Sequence, residues 1–185
     1  MRLFALAAAA AAITALAGTS PAQGQKGTVV EWAGMKSTTP ADWKDESNPP
    51  RPLRLYTFKL PKADGDKADA ELALFLSPGG GSVAANLDRQ VKKFDLAGKK
   101  AEDAVKTEKV KVGPHEATLQ DIRGTFLSKN PPFDPNAKVT RMEGYRQIYV
   151  IFETKDGVAS LTLLGPDKTI EKHKKAFEEW LKNFK

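Results

Sequence analysis

The chain has 185 residues, 29 Lys and Arg against 23 Asp and Glu, a net charge of +6 and no cysteine. The last fact excludes disulfides, thiol catalysis and cysteine metal sites. The cations are spread along the chain, interleaved with acids and without aromatic stacking platforms, so the expectation is a solvated basic surface and no nucleic-acid partner.

Residues 1–22 read as a secretory signal peptide. Met1 and Arg2 precede an uncharged, alanine-dominated run over 3–17, and Ser20-Pro21-Ala22 fits the small-x-small cleavage rule. The run is shorter than the roughly 20 residues of a spanning helix. The expected location is therefore periplasmic or secreted, with no transmembrane span after leader removal, and residues 23–185 form one domain.

Residues 27–34 (GTVVEWAG) form a short strand candidate, and 47–52 (SNPPRP) an extended connector, because proline lacks a donor and restricts its neighbour. Residues 53–60 (LRLYTFKL) and 70–76 (AELALFL) read as two strands of a hairpin around an acidic turn. The second is apolar on both faces, as a central strand would be. Then comes SPGGGS (77–82), a strand-to-helix corner that needs positive φ at one or more of Gly79, Gly80 and Gly81. Ser82 is the expected N-cap of a helix with Val83, Leu87, Val91 and Phe94 on its apolar stripe, ending near Gly98.

Residues 99–103 read as a charged linker and 105–112 as a strand. Residues 117–127 are another strand, whose Gly124 marks a bulge or a close backbone contact. Residues 128–142 hold three prolines and little periodicity, which predicts a long loop. Residues 145–154 (YRQIYVIFET) and 158–164 (VASLTLL) form a second hairpin through Asp156-Gly157. A last helix carries Ile170, His173, Phe177, Trp180, Leu181 and Phe184 on one face.

This order predicts an α+β fold: one antiparallel sheet of about six to seven strands with two amphipathic helices packed on it.

Few motifs carry chemistry. SPGGGS lacks the GK[ST] ending of a phosphate loop and the GxGxxG spacing of a dinucleotide fold. Asp64, Asp66, Asp69 and Glu71 cluster within eight residues and are the candidate metal ligands, with calcium the ion that hard oxygens on one turn would hold. The spacing is not that of an EF-hand. His173 is a candidate general base for a hydrolase, and Asp121 with Glu153 a carboxylate pair only if the fold joins them. Trp43, Arg141 and Arg146 are the candidate ligand-binding residues, on a cleft side of the sheet beside the 128–142 loop.

The runs PADWKDE, YTFKLPKADGDKADAELALF, SPGGGSVAANLDR, LLGPDKT and FEEWLKNFK resemble a family of exported, uncharacterised bacterial proteins common in planctomycetes, over residues 28–185. The P-x-x-W start, the antiparallel strands and the terminal helix are similar to the PsbP/DcrB-like α/β/α sandwich. The first resemblance brings no activity, and fold alone supplies none. The expected function is a non-catalytic binding or accessory module of the envelope, monomeric, with an unknown protein or small molecule as partner. The alternatives are a calcium-stabilised domain and a cryptic hydrolase.

Overall fold

Strands that are apolar on both faces need cover on both, and the arrangement of the chain follows from that need. The computed structural model describes residues 26–49, 51–131, 134 and 136–185. The expected signal peptide lies outside these residues.

The main sheet contains β3 (Lys44–Asp45), β4 (Arg54–Leu60), β5 (Ala70–Ser77), β6 (Phe94–Asp95), β7 (Val105–Val112), β8 (His115–Asn130), β9 (Lys138–Thr154) and β10 (Gly157–Pro166). Its order is β3-β4-β5-β10-β9-β8-β6, with β7 also on β8, and its pairings are antiparallel. β1 (Val29–Trp32) and β2 (Met35–Thr38) form a separate two-stranded sheet. Three helices accompany them: α1 (Val83–Val91), the short α2 (Ala101–Ala104) and α3 (Asp167–Lys182). The expected six to seven strands thus become eight in one sheet plus the small one, because two-residue pairings such as β3 and β6 carry no periodic signal.

α3 covers one face. Its buried residues Thr169, Ile170, His173, Phe177, Trp180 and Leu181 recur at helical spacing. They meet Phe58 and Leu60 of β4, Leu72 and Leu74 of β5, Ile148 and Val150 of β9 and Leu161 and Leu163 of β10. The β1–β2 hairpin closes this core from outside. Trp32 packs edge-on against Phe152 and Phe184, with centroids 5.1 and 5.7 Å away, and its indole N–H donates to the Phe75 carbonyl at 3.0 Å. The chain end joins the same layer: Lys36 N donates to Lys185 O at 2.8 Å, and Lys185 N to Lys36 O at 3.0 Å.

α1 crosses the opposite face between β5 and β6. Ser82 caps it by accepting from Ala85 N. The helix ends at Val91, short of the expected Gly98, and Phe94 belongs to β6, where it packs on Phe126. Val83 and Leu87 touch Tyr149, Ile151 and Val158, yet the fully buried residues of α1 are Asn86 and Gln90. The sheet beneath is polar at that point: Gln147 Nε2 donates to Gln90 Oε1 at 3.3 Å. Burying an amide is tolerated where it is paired in this way.

The predicted loop over 128–142 is a correction. β8 continues to Asn130 and β9 starts at Lys138, with Asn130 facing Lys138 in register. The two strands run past the rest of the sheet as a paired arm. Gly124 marks its base. The ladder shifts register between Gly124 and Phe126, and a Cβ there would lie 2.8 Å from the Asp95 carbonyl oxygen. Bulge and close approach coincide at this residue.

Candidate functional site

Strand alternation and the turn of a helix gather five charged residues beside the start of α3. Asp121 and Arg123 sit two apart on β8 and share a face; Arg146 is paired opposite Arg123 on β9; Asp167 and Glu171 are four apart on α3. Arg146 is 2% exposed. Its Nε and Nη2 donate to the two Asp121 oxygens at 2.8 and 2.7 Å, and its Nη1 donates to Glu171 Oε2 at 2.6 Å. Such a fork is the strong geometry for an arginine and a carboxylate. Burial by itself would lower the Arg146 pKa, but the bonds to Asp121 and Glu171 and the Asp121 and Asp167 charges outweigh it and raise it. The same Arg146 bond and charge hold the Glu171 carboxyl below the usual range. Arg123 is held more loosely, 3.2 Å from Asp167 and 3.5 Å from Asp121.

A groove of about 510 Å³ opens over this cluster, between α3 and the β7–β8 edge, and Lys106, Glu108 and Lys174 complete its charged rim. That volume lies within the range of small-molecule sites.

The candidate ligand-binding residues do not meet. Trp43 is 3% exposed in the core, edge-on to Trp180 at 5.3 Å, and neither indole N–H has a partner among the described residues. Arg146 lies at the other end of α3, beside Glu171. Arg141 is exposed on the arm, its Nη2 donating to Asp95 Oδ2 at 2.6 Å. Residues 128–130 and 138–142 of the loop expected to unite them are strand.

The four acids of the 64–71 turn are likewise parted by their contacts. α3 has Pro166 at its N-cap and no side-chain cap of its own. Asp66 supplies one from across the chain, accepting from Thr169 N at 2.9 Å and Thr169 Oγ1 at 2.6 Å. Asp69 accepts from Lys62 N at 2.9 Å and closes the turn. Glu71 pairs with Arg54 and Lys59 at 3.0 and 3.4 Å, and Asp64 is exposed. Among the described residues no group of three or more acids or histidines is arranged to hold a metal ion.

His173 is buried, with Nε2 2.8 Å from the Pro61 carbonyl, which can only accept, so Nε2 carries the proton. It fastens α3 to the turn after β4. Asp121 and Glu153 are not joined: alternation along β8 and β9 puts them on opposite faces of the sheet.

At the glycine corner, Gly79, Gly80 and Gly81 line an open depression of about 290 Å³ with Glu153 at its edge. Gly79 and Gly81 have φ of 66° and 79°, as the corner requires. The N–H groups of Gly80 and Gly81 donate to Ser77 O and Gly79 O, so neither is aimed at a ligand.

Sequence reasoning missed Asp121 and Arg123 as partners of Arg146, and missed Asp167 and Glu171. The available signals were the D-x-R alternation at 121–123 and the Asp167/Glu171 spacing on a helix. Each states a shared face and not what faces it.

No protein-family model matches the chain, and no curated protein does. Among solved structures, the fold matches the solution structure of cyanobacterial PsbP (CyanoP) from Synechocystis sp. PCC 6803, at 10% identity, covering 94% of this chain and 98% of that one, with a TM-score of 0.50. A protein of unknown function from Pseudomonas aeruginosa aligns over 84% of this chain and 94% of its own at 18% identity, with a TM-score of 0.42. The fold of this chain is PsbP-like.

Proposed function

We propose that the protein is an exported, non-catalytic binding or accessory module of the cell envelope, and that its ligand seat is the groove beside α3. One observation carries this reading: the groove is floored by a buried Arg146 that gives Nε and Nη2 to Asp121 and Nη1 to Glu171. A residue meant to move protons needs a group free to gain or lose one. Here Arg146, Asp121 and Glu171 are tied to one another, which suits a rigid charged floor better than an acid–base pair. Lys106 and Glu108 on the rim have no ion pair among the described residues and are the groups left to meet a ligand, with Lys174, paired to Glu178, beside them. The leader-like residues 1–22 support export.

The test is fractionation of cells expressing the untagged full chain, followed by native purification from envelope extract. A Lys106→Glu/Lys174→Glu variant is carried in parallel. The expected result is recovery from the envelope fraction with a bound partner or small molecule that the variant loses. A chain found in the cytosol, or one recovered monomeric and ligand-free from every extract, overturns the reading.

A further inference from the structure

The two ends of the main sheet are finished differently. At one end stands β3, two residues long, with a register shift in the neighbouring β4 between Arg54 and Tyr56 and with Pro49 and Pro52 just ahead of that strand. Short strands, irregular pairing and prolines close a sheet edge to further strands. At the other end β7 is eight residues long, contains no proline and pairs with β8 in unbroken register from Val105 to Val112. Its far side has no strand beside it among the described residues.

Both ends of β7 tell which backbone groups face outward. The Val105 N–H is taken by the Ala101 carbonyl of α2, and the two-residue turn Gly113-Pro114 closes on the Val112–His115 pair. Each places the even-numbered residues in hydrogen bond with β8 and leaves the N–H and C=O of Thr107 and Lys109 pointing away from the sheet. These groups have no backbone partner among the described residues. On either side of Thr107 stand Lys106 and Glu108, both exposed and both on the groove face, with no ion pair among the described residues. An antiparallel strand that answers a lysine and a glutamate two residues apart must itself read lysine, any residue, glutamate. Lys106-Thr107-Glu108 is therefore its own complement.

We propose that β7 pairs antiparallel with β7 of a second copy of this chain, about a two-fold axis at Thr107. Lys106 then lies opposite Glu108 of the second copy, and Glu108 opposite its Lys106, while the two Thr107 residues exchange the central backbone bonds. Lys109 faces Val105 of the second copy and keeps its own contact with Glu116 at 3.3 Å. Charge selects this register. An axis at Lys106 or Lys109 sets a lysine against the same lysine, and one at Glu108 sets glutamate against glutamate. An axis between two residues would oppose an outward-facing backbone group to an inward-facing one. The contact uses one patch on both copies, so the assembly closes at two. The proposal deepens the reading of the groove beside α3 and rests on its assignment of Lys106 and Glu108 as contact residues, not on export.

The experiment is sedimentation of the protein, as purified from expressing cells, over a concentration series reaching the millimolar range. The expected result is a monomer–dimer equilibrium that stops at two. Lys106→Glu and Glu108→Lys each set like charges opposite one another at both pairs and weaken the dimer about tenfold or more. The exchange Lys106→Glu/Glu108→Lys reverses the complement without losing it and restores the dimer to within about threefold. Thr107→Pro removes the central donor where the N–H faces solvent, a place an edge strand tolerates proline, and abolishes the dimer. Amide exchange of the parent keeps the proposal testable if a variant fails to fold: Thr107 and Lys109 become protected as concentration rises, and Glu108, already bonded to β8, does not change. A parent that stays monomeric at millimolar concentration, single reversals that dimerise like the parent, or an exchange that fails to recover the dimer overturns the proposal. A monomer that still carries a ligand from envelope extract overturns the dimer and leaves the reading of the groove standing. A monomeric parent that loses a different protein on Thr107→Pro overturns it in favour of that protein's strand.

Discussion

Asp66 shows how a residue can be conspicuous in sequence for one reason and used for another. In the sequence it belongs to an acidic cluster; in the fold it is the cap that Pro166 cannot be, bonded to both Thr169 N and Thr169 Oγ1. Asp66→Ala is expected to destabilise by about 1 kcal/mol, the usual cost of a lost cap, measured by urea denaturation. Calcium does not restore the loss, because the cap works by accepting from the helix and not by holding an ion. Arg146 is the stronger case. Replacing it with Met leaves the buried Asp121 charge with only the longer Arg123 contact and costs about 3 kcal/mol, whereas Arg146→Met/Asp121→Leu recovers most of that. Glu171 gives a pH dependence whose sign is set. Its folded pKa lies below the ordinary value, so its ion pair stabilises above about pH 4.5 and is lost as pH falls through the lower folded value. Glu171 is two-thirds exposed, so the effect stays within about 1 kcal/mol. Melting temperatures of Glu171→Gln between pH 6 and pH 3 are expected to fall less steeply than those of the parent.

The long elements were legible because they repeat. α3, β9, β10 and the β4–β5 hairpin each bury residues at a fixed period, and their pairings follow the turns between them. The glycine corner was legible for a steric reason, and it makes its own prediction. Gly81→Ala forces a side chain to φ of 79°, which costs about 1–2 kcal/mol and leaves ligand binding unchanged, as denaturation and a binding assay on the same sample would show. The arm was not legible. Exposed on both faces, residues 128–130 and 138–142 have no apolar alternation to betray a strand, and only their mutual ladder makes them one. α1 misled in the opposite way. Its apolar stripe is real, but it lies over a part of the sheet where Gln147 gives a buried amide something to bond.

For the whole molecule, the question is which distant surfaces come together, and composition cannot answer it. Trp43, Arg141 and Arg146 had the right chemistry for a site and separate addresses: core, arm and groove. The groove cluster draws on β8, β9 and α3, and no short window along the chain contains it. The same holds for the outer layer of the core. β1 and β2 are held there by residues near the other end, with Phe184 only 1% exposed and Ser37 Oγ donating to Trp180 O at 3.3 Å. Removing residues 184–185 is expected to cost about 3–5 kcal/mol, the scale for deleting a buried phenylalanine, and to speed amide exchange in β1 and β2 ahead of the main sheet.

The reciprocal bonds between Lys36 and Lys185 also carry a temporal meaning. A ribosome delivers Lys36 well before Lys185, so the small sheet must wait for β3 to α3 to be made before it can lock down. Until then Trp32 has no Phe184 to pack against, and the nascent polypeptide lacks its outer layer. Completion of the small sheet is thereby coupled to synthesis of α3 and the residues that follow it.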